Sequence, residues 1–511
     1  MAINSPTLED LASNAGIYGL GLTTSELETF RRLMQSTIAS YSRLDELQEP
    51  APVVKYRRDS GKPPAHGDNP LGAWIWRSEI KGAAGGPLTG KTVAVKDNIC
   101  LAGMPMTNGT RVLEGYVPKI DATVVTRLLD AGATIIGKSV CESLCFSGGS
   151  HTSDSGPVHN PYDYARSAGG SSSGSAALVA ARQVDLALGG DQGGSIRIPA
   201  SWCGVYGLKP TYGLVPYTGA FPVDMTLDHL GPMANSVADC ALMLDAIAGA
   251  DGFDPRQLPE RPVDRYSAAI GGSVKGLRLA IVREGFGWEG KSESDVDEAV
   301  RAAANSFTKL GATVKEVSIP WHRDAIHVWT AIATEGSVAT MFHGNGVGTG
   351  WKGYYDTGLL NAFARGWKSH PDDLSDTVKM TMLFARYMHS HYHGQFYAKA
   401  QNLVPAIADA YDIAMRDADI LVMPTLPMKA TIIPAADCSR DEYMDRAFEM
   451  IPNVVGFNLT GQPAMNVPCA IADGLPIGMM LVGRAGEDST VLRAADAFQK
   501  EIFSPPAPAA K

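Results

Sequence analysis

Short apolar strands alternate with amphipathic helices along this sequence, and that order points to parallel α/β structure before any single residue is considered. TVAVKD (92–97) reads as a strand, DATVVTRLLDAG (121–132) as a helix with Asp121 as N-cap and Gly132 just past its end, and ATIIGKS (133–139) as the next strand. The order returns in LRLAIVR (277–283), SDVDEAVRAAANSFTKLG (294–311) and ATVKEVSIP (312–320). It begins again near the end with PIGMMLVGR (476–484) and STVLRAADAFQKE (489–501). Helices placed between parallel strands cover the faces of the sheet.

The N-terminal region reads differently. Ser25 and Glu28 have capping-box spacing, and Leu27, Phe30, Met34, Ile38 and Tyr41 lay one apolar stripe along a helix. Residues 49–70 then carry Pro50, Pro52, Pro63, Pro64 and Pro70, which forbid helix and predict an extended connection. The division expected is a small helical N-terminal domain with its linker over 1–75 and a catalytic domain over 76–511. The aromatic-rich stretch from about 320 to 400, with Trp321, Trp329, Trp351, Tyr354, Tyr355 and Trp367, reads as a cap over a site.

Charge narrows the function. With 44 Lys and Arg against 54 Asp and Glu, the net charge is −10, which disfavours a nucleic-acid groove or a polybasic membrane surface. No apolar run reaches the ~18 residues of a membrane helix, and MAINSPTLED lacks the features of a signal peptide. Seven scattered cysteines make no disulfide framework and suit a reducing compartment. The expectation is a cytoplasmic enzyme.

Chemistry concentrates in AGGSSSGSAALVAARQVDLALGGDQGGSIRIPASWCGVYGLKPTYG (168–213). Residues this small let backbone turn sharply and approach a substrate. A phosphate loop needs a strand before its glycines, and the preceding NPYDYARSA is not one. Gly170-Ser171-Ser172-Ser173-Gly174 matches the G-x-S-x-G string of a nucleophile elbow and fails for the same reason. A third reading makes Ser195 the nucleophile, with GGDQGGS supplying consecutive N–H groups that converge on an oxyanion.

A serine hydroxyl needs a base. None of the eleven histidines lies in these loops, and HSHYH (His389, His391, His393) reads as a polar surface helix. Lys96 ends the strand TVAVK at the carboxyl edge of a parallel sheet, where α/β sites lie and desolvation disfavours an ammonium. Lys138, after ATIIG, is an equally placed rival.

The ordered series VAVKDN, GGSSSGSAALVA and GGDQGGSIRIPASWCGVYGLKPTYG resembles the amidase signature family. The likeness runs on through DHLGPMANSVADCALMLDAIAG, LVMPTLP and FNLTGQPAMNVP, over roughly residues 80–500. It implies an α/β fold with a large mixed, mostly parallel sheet covered by helices on both faces. It also implies a Ser–cis-Ser–Lys triad, in which Lys96 falls on the family lysine, Ser171 on the cis-serine and Ser195 on the nucleophile. The family's oxyanion hole maps to the backbone N–H groups of Gln192, Gly193, Gly194 and Ser195, and Lys138 receives no catalytic role. Asp191 and Arg197 suggest an ion pair framing the nucleophile, and Ser172 is expected to anchor Lys96. Ser173 departs from the family's usual glycine.

LVPYTGAFP (214–222), IVREGFG (281–287) and the helical extension resemble bacterial amidases of the nitrile-degradation type, which implies a homodimer built on that extension. The activity implied is hydrolysis of a small-molecule amide to acid plus ammonia or amine, with no metal or cofactor. The alternatives are the glutaminase subunit of a tRNA-dependent amidotransferase, a carbamate or anilide hydrolase of the same family, and a binding protein on an inactive scaffold. The extension and the 320–400 stretch argue against the glutaminase, and the intact triad against the inactive scaffold. Phe146, Trp329 and Ile451 are the pocket residues suggested by the resemblance and by aromatic character.

Overall fold

The computed structural model describes residues 3–65 and 67–509. The chain divides after Val53 into two units. The smaller holds the helices Leu8–Ile17, Thr24–Leu33 and Gln35–Glu46. Its capping box is Thr23–Glu26, not Ser25–Glu28: Thr23 has the extended backbone of an N-cap, and Ser25 is already inside the helix. The expected stripe is broken at Met34, where two helices meet. Leu27 is buried, while Phe30, Met34 and Tyr41 remain exposed.

Residues 54–75, expected as linker, belong to the larger unit. Lys55 and Tyr56 both reach the Asp130 carboxylate, and Lys62 bridges to Arg77. Arg58 pairs with Asp121. Asp121 is therefore not the N-cap of Thr123–Asp130, because it accepts from the Ala102 N–H and from Arg58, and Ala122 stands at the cap without a side-chain bond.

Eleven strands form one sheet: β1 (Trp74–Lys81), β2 (Thr92–Lys96), β3 (Thr134–Ser139), β4 (Leu186–Asp191), β5 (Tyr206–Lys209), β6 (His229–Ala234), β7 (Arg278–Val282), β8 (Thr313–Val317), β9 (Ile420–Pro424), β10 (Ala464–Ala472) and β11 (Leu475–Val482). Their order is β1-β3-β2-β4-β6-β5-β10-β11-β9-β7-β8. The sheet is mixed as expected, but parallel pairing is the minority, with four parallel and six antiparallel pairs. One antiparallel pair follows from Asp473 and Gly474, whose φ values of +51° and +75° give the tight turn that joins β10 to β11 as a hairpin. The two parallel blocks, β3-β2-β4 and β9-β7-β8, correspond to the first two strand–helix–strand runs of the sequence.

Period-2 alternation gives each face its own core. On β2 and β4, Val93, Val95, Leu186 and Leu188 enter one apolar cluster with the helix Thr123–Asp130. Ala94 and Ala187 enter another with the helix Ser173–Ala180. Helices thus cover both faces, and the carboxyl ends of β2 and β4 lie side by side at the centre of one block, with Val95 opposite Leu188.

The region from about 320 to 400 forms the helices Trp321–Val338, Thr357–Ser369, Asp376–Tyr392 and Gln395–Met415, the last running on past 400. Together with Phe146, Phe221 and Val223 this region builds a third cluster. His389 and His391 lie at the exposed end of Asp376–Tyr392, and His393 is off the helix with φ +56°.

His322 is fully buried between Tyr411 Oη and Asn453 Oδ1, at 2.8 and 3.1 Å. Burial pushes its pKa from 6.5 down to about 4, against the hydrogen bond with Asn453, which favours the proton. Between those values the unfolded chain binds a proton that the folded chain does not, so stability falls as pH falls through the window. The size is about 3 kcal/mol by linkage. Chemical unfolding of wild type and His322→Gln at pH 7 and pH 4 should show the variant losing less stability on acidification, by roughly that 3 kcal/mol. Equal losses would contradict it.

Candidate active site

Lys96 ends β2 and Asp191 ends β4, so neighbouring parallel strands deliver a lysine and an aspartate to one edge of the sheet. The Lys96 side chain is fully buried, and its Nζ lies 2.8 Å from Ser171 Oγ and 3.2 Å from the Gly190 carbonyl. The peptide bond between Gly170 and Ser171 is cis. Ser172 does not touch Lys96. Its hydroxyl donates to the Gly190 carbonyl at 3.1 Å and accepts from the Gly190 N–H at 3.2 Å, so the two side chains meet only through that shared carbonyl. Ser173 opens the helix Ser173–Ala180, and its hydroxyl donates to the Val140 carbonyl at 3.4 Å.

The two small-residue loops are joined through their backbones, the Ser172 N–H donating to the Ser195 carbonyl at 3.2 Å. Ser195 is 6% exposed, whereas Ser171 and Lys96 are 0%. Ser195 lines a cleft, and the other two are not among its lining residues. Lys138 is elsewhere. It forms a buried ion pair with Asp97 at 2.7 Å, and the other oxygen of that carboxylate accepts from Thr107 and Asn108.

Asp191 sets the shape of the second loop. Arg197 grips its carboxylate with two bonds of 3.0 Å, and both residues are fully buried. The guanidinium also bonds the Val454 carbonyl and Asn458 Oδ1, while Asn458 Nδ2 returns to Asp191 Oδ1 at 2.8 Å. Burial opposes the Asp191 charge, but Arg197 and Asn458 outweigh it and hold the carboxyl well below the usual carboxylate range. The Gly194 N–H donates to Asp191 Oδ1 at 2.8 Å and the Ile196 N–H to Oδ2 at 3.1 Å. Gly194 therefore leaves the expected set of oxyanion donors, its N–H being committed to the carboxylate. The N–H groups of Gln192, Gly193 and Ser195 have no acceptor among the described residues.

Glycine is required twice in this loop. Gly194 has φ +110°, and a Cβ there would meet Val454 Cγ2 at 2.4 Å. A Cβ on Gly193 would meet the Trp329 ring at 2.5 Å. Trp329 packs this closely because its Nε1–H donates to the Gln192 carbonyl at 2.8 Å.

Phe146, Trp329 and Ile451 all line the cleft beside Ser195. Val223, Leu227, Ala333 and Phe448 line it too and carry no sequence signal that assigns them to it, nor does Cys145. Phe448 packs edge-to-face on Phe146 with ring centroids 6.0 Å apart. Of the aromatics expected in a cap, Trp329 alone reaches this wall; Trp351 and Tyr354 line a separate cavity with Tyr217 and Phe253. No charged side chain lines the cleft among the described residues.

The amidase family profile matches residues 74–492. Over 514 aligned residues, 99% of this chain and 98% of the relative, the sequence is 47% identical to a Rhodococcus rhodochrous protein named enantioselective amidase. It is 38% identical over 416 residues, 81% of this chain and 85% of the relative, to a glutamyl-tRNA(Gln) amidotransferase subunit of Methanosarcina mazei. The crystal structure of the Thermotoga maritima protein of the same name superposes with a TM-score of 0.70 at 31% identity, covering 86% of this chain and 91% of that one. Native peptide amidase from Stenotrophomonas maltophilia does so with a TM-score of 0.69 at 28% identity, covering 83% and 85%. The chain belongs to the amidase family.

Proposed function

We propose that this enzyme hydrolyses neutral carboxylic amides to acid plus ammonia or amine, using Ser195 as nucleophile, Ser171 as relay and Lys96 as base. The observation that carries the reading is the buried 2.8 Å contact of Lys96 Nζ with Ser171 Oγ, in a loop bonded through the Ser172 N–H to the carbonyl of Ser195, a serine on the wall of an apolar cleft. Lys96, as a neutral amine, takes the Ser171 proton while Ser171 takes that of Ser195, and Ser195 Oγ attacks the amide carbonyl. The N–H groups of Gln192, Gly193 and Ser195 receive the oxyanion, where one good donor is worth about 2.7–4 kcal/mol. The proton returns through Ser171 to the leaving nitrogen, and water then cleaves the acyl-enzyme by the same route. Asp191 and Arg197 position the donors without touching substrate. Ser172 acts through the Gly190 carbonyl.

Phe146, Trp329, Phe448 and Ile451 fit a compact apolar or aromatic acyl group. The likeness to the tRNA-dependent amidotransferase chains supports a second reading, a glutaminase working with partner chains. Against it, free glutamine carries two charges, and the cleft walls offer no charged side chain to hold them. Purified chain alone, without partners or ATP, should hydrolyse neutral aliphatic or aromatic amides. Glutamine as the best substrate by a wide margin would reverse the choice.

Lys96→Arg and Lys96→Ala should be similarly crippled, each by several orders of magnitude in kcat/KM. Arginine keeps the charge and cannot give up its proton at working pH. Ser195→Ala should be at least as severe, since relay residues act as a unit. A near-normal Lys96→Arg enzyme would remove Lys96 as the base.

The unpaired cysteines support work in a reducing compartment, the cytoplasm, and no helix among the described residues is long and apolar enough to cross a membrane. The exposed Phe30, Leu33, Met34, Tyr41 and Leu44 of the helical N-terminal unit suit a homodimer contact. Light scattering at micromolar concentration should give a dimer for the full chain and a monomer once residues 1–53 are removed. A full-length monomer would refute the assignment.

A further inference from the structure

Cys145 is the one cysteine on the wall of the catalytic cleft among the described residues. Lys96, Ser171 and the Cys141 thiol are its electrostatic neighbours. Asn108 Oδ1 fixes the pair, accepting from Cys141 Sγ at 3.5 Å and from Cys145 Sγ at 3.4 Å. The backbone is held in an unusual shape to place it there. Leu144 and Cys145 have φ +47° and +59°, left-handed values that cost non-glycine residues of order 1–3 kcal/mol each and persist only where the surroundings enforce them. The Glu142 N–H hangs the segment from the Ser171 carbonyl at 3.2 Å, and the Leu144 N–H from the Asn108 carbonyl at 2.9 Å.

The same cleft holds an unfilled acceptor. Gln192 lines it at 4% exposure, and its buried Oε1 has no hydrogen-bond partner among the described residues. The N–H2 of a primary carboxamide supplies the donor that this oxygen lacks.

We infer that Cys145 is a covalent modification site, alkylated by small primary carboxamides that carry a soft electrophilic carbon beside the carbonyl. With an α-haloacetamide, Cys145 Sγ attacks the CH2 carbon, a C–S bond forms, and the carbon–halogen bond breaks with its electron pair leaving as halide. The thiol proton passes to solvent, and no oxidant or reductant is required. The site rests on the proposed function only for the choice of an amide as carrier.

The other buried cysteines are poorer nucleophiles. Burial pushes the thiols of Cys100, Cys203, Cys240 and Cys469 up, and that of Cys141 as well. At Cys145 burial pushes the same way, but the Cys141 hydrogen bond and the neighbouring Lys96 and Ser171 overcome it and bring the thiol down to about 6. The charges and polar groups facing it are Lys96 from β2, Ser171, Cys141 and, farther off, Tyr217. A thiolate beside an ammonium holds the same protons as a thiol beside an amine. The first form is the target of alkylation and the second contains the base for amide hydrolysis.

The probe is iodoacetamide, applied to the full-length chain at neutral pH and followed by peptide mass spectrometry. Trypsin releases residues 139–166 as one peptide holding both Cys141 and Cys145, and its fragment ions tell them apart. Cys145 should be carbamidomethylated faster than the other buried cysteines by at least about tenfold, a margin set by thiolate fraction and access. Amidase activity should fall in step with that label and not with the label on the half-buried Cys438. Ser195→Ala should still be labelled at Cys145, which makes the result independent of turnover. In Cys145→Ala, whatever activity the variant starts with should survive iodoacetamide. Cys145 left unlabelled while Cys438 reaches completion, or inactivation that persists in Cys145→Ala, would overturn the inference. An unmodified chain that hydrolyses no amide would refute the proposed function instead, and the label on Cys145 would still decide this point.

Discussion

The site depends on one buried ion pair. Asp191 and Arg197 have no access to water, and such a pair is sustained only when every remaining hydrogen-bonding position is used. Here the unused positions on the carboxylate are filled by the Gly194 and Ile196 N–H groups and by Asn458. The unused positions on the guanidinium reach Val454 and Asn458. Removing either partner strands a charge at a cost of roughly 3–5 kcal/mol. The carboxylate therefore dictates the conformation of the loop bearing Ser195, and the guanidinium ties that loop to the segment carrying the Ile451 wall of the cleft.

The three candidate residues differ in burial. Lys96 and Ser171 are fully buried, and Ser195 alone of the three lines the cleft. A low-dielectric interior strengthens a hydrogen bond such as that of Lys96 with Ser171 and equally penalises a misplaced partner. Gly190 has a central part, because its carbonyl accepts from both Lys96 and Ser172.

Much of this is legible in the sequence. The strand ending at Lys96, the two small-residue loops and the opposite charges of Asp191 and Arg197 all lie within short stretches whose local pattern carries their meaning. What local pattern misses is of two kinds. Asp121 and Ser25 satisfy cap spacing, yet partners distant in sequence or one turn away decide which residue caps. The balance of parallel and antiparallel strands differs from expectation because strand–helix runs dominate the pattern, while the Asp473–Gly474 turn signals its hairpin in only two residues. Phe448 reaches the cleft from a segment far along the chain from Val223 and Leu227, so no single window of sequence brings all three together. Ser172 misleads for a subtler reason: adjacency in the chain places it beside the relay, while its side chain turns to the end of β4.

Trp329 belongs at once to the wall of the cleft and to the support of the loop bearing Ser195, through its ring against Gly193 and its Nε1–H to the Gln192 carbonyl. That double employment limits how such an enzyme can diversify. A mutation that reshapes the cleft at this position also loosens the loop bearing Ser195, so under the proposed mechanism breadth of substrate and rate are traded in a single step. Phe448 and Ile451 line the same cleft, and it is their neighbour Val454, not their own side chains, that packs against this loop at Gly194. Divergence in substrate choice among chains of this design should therefore accumulate at Phe448 and Ile451 and leave Trp329 fixed.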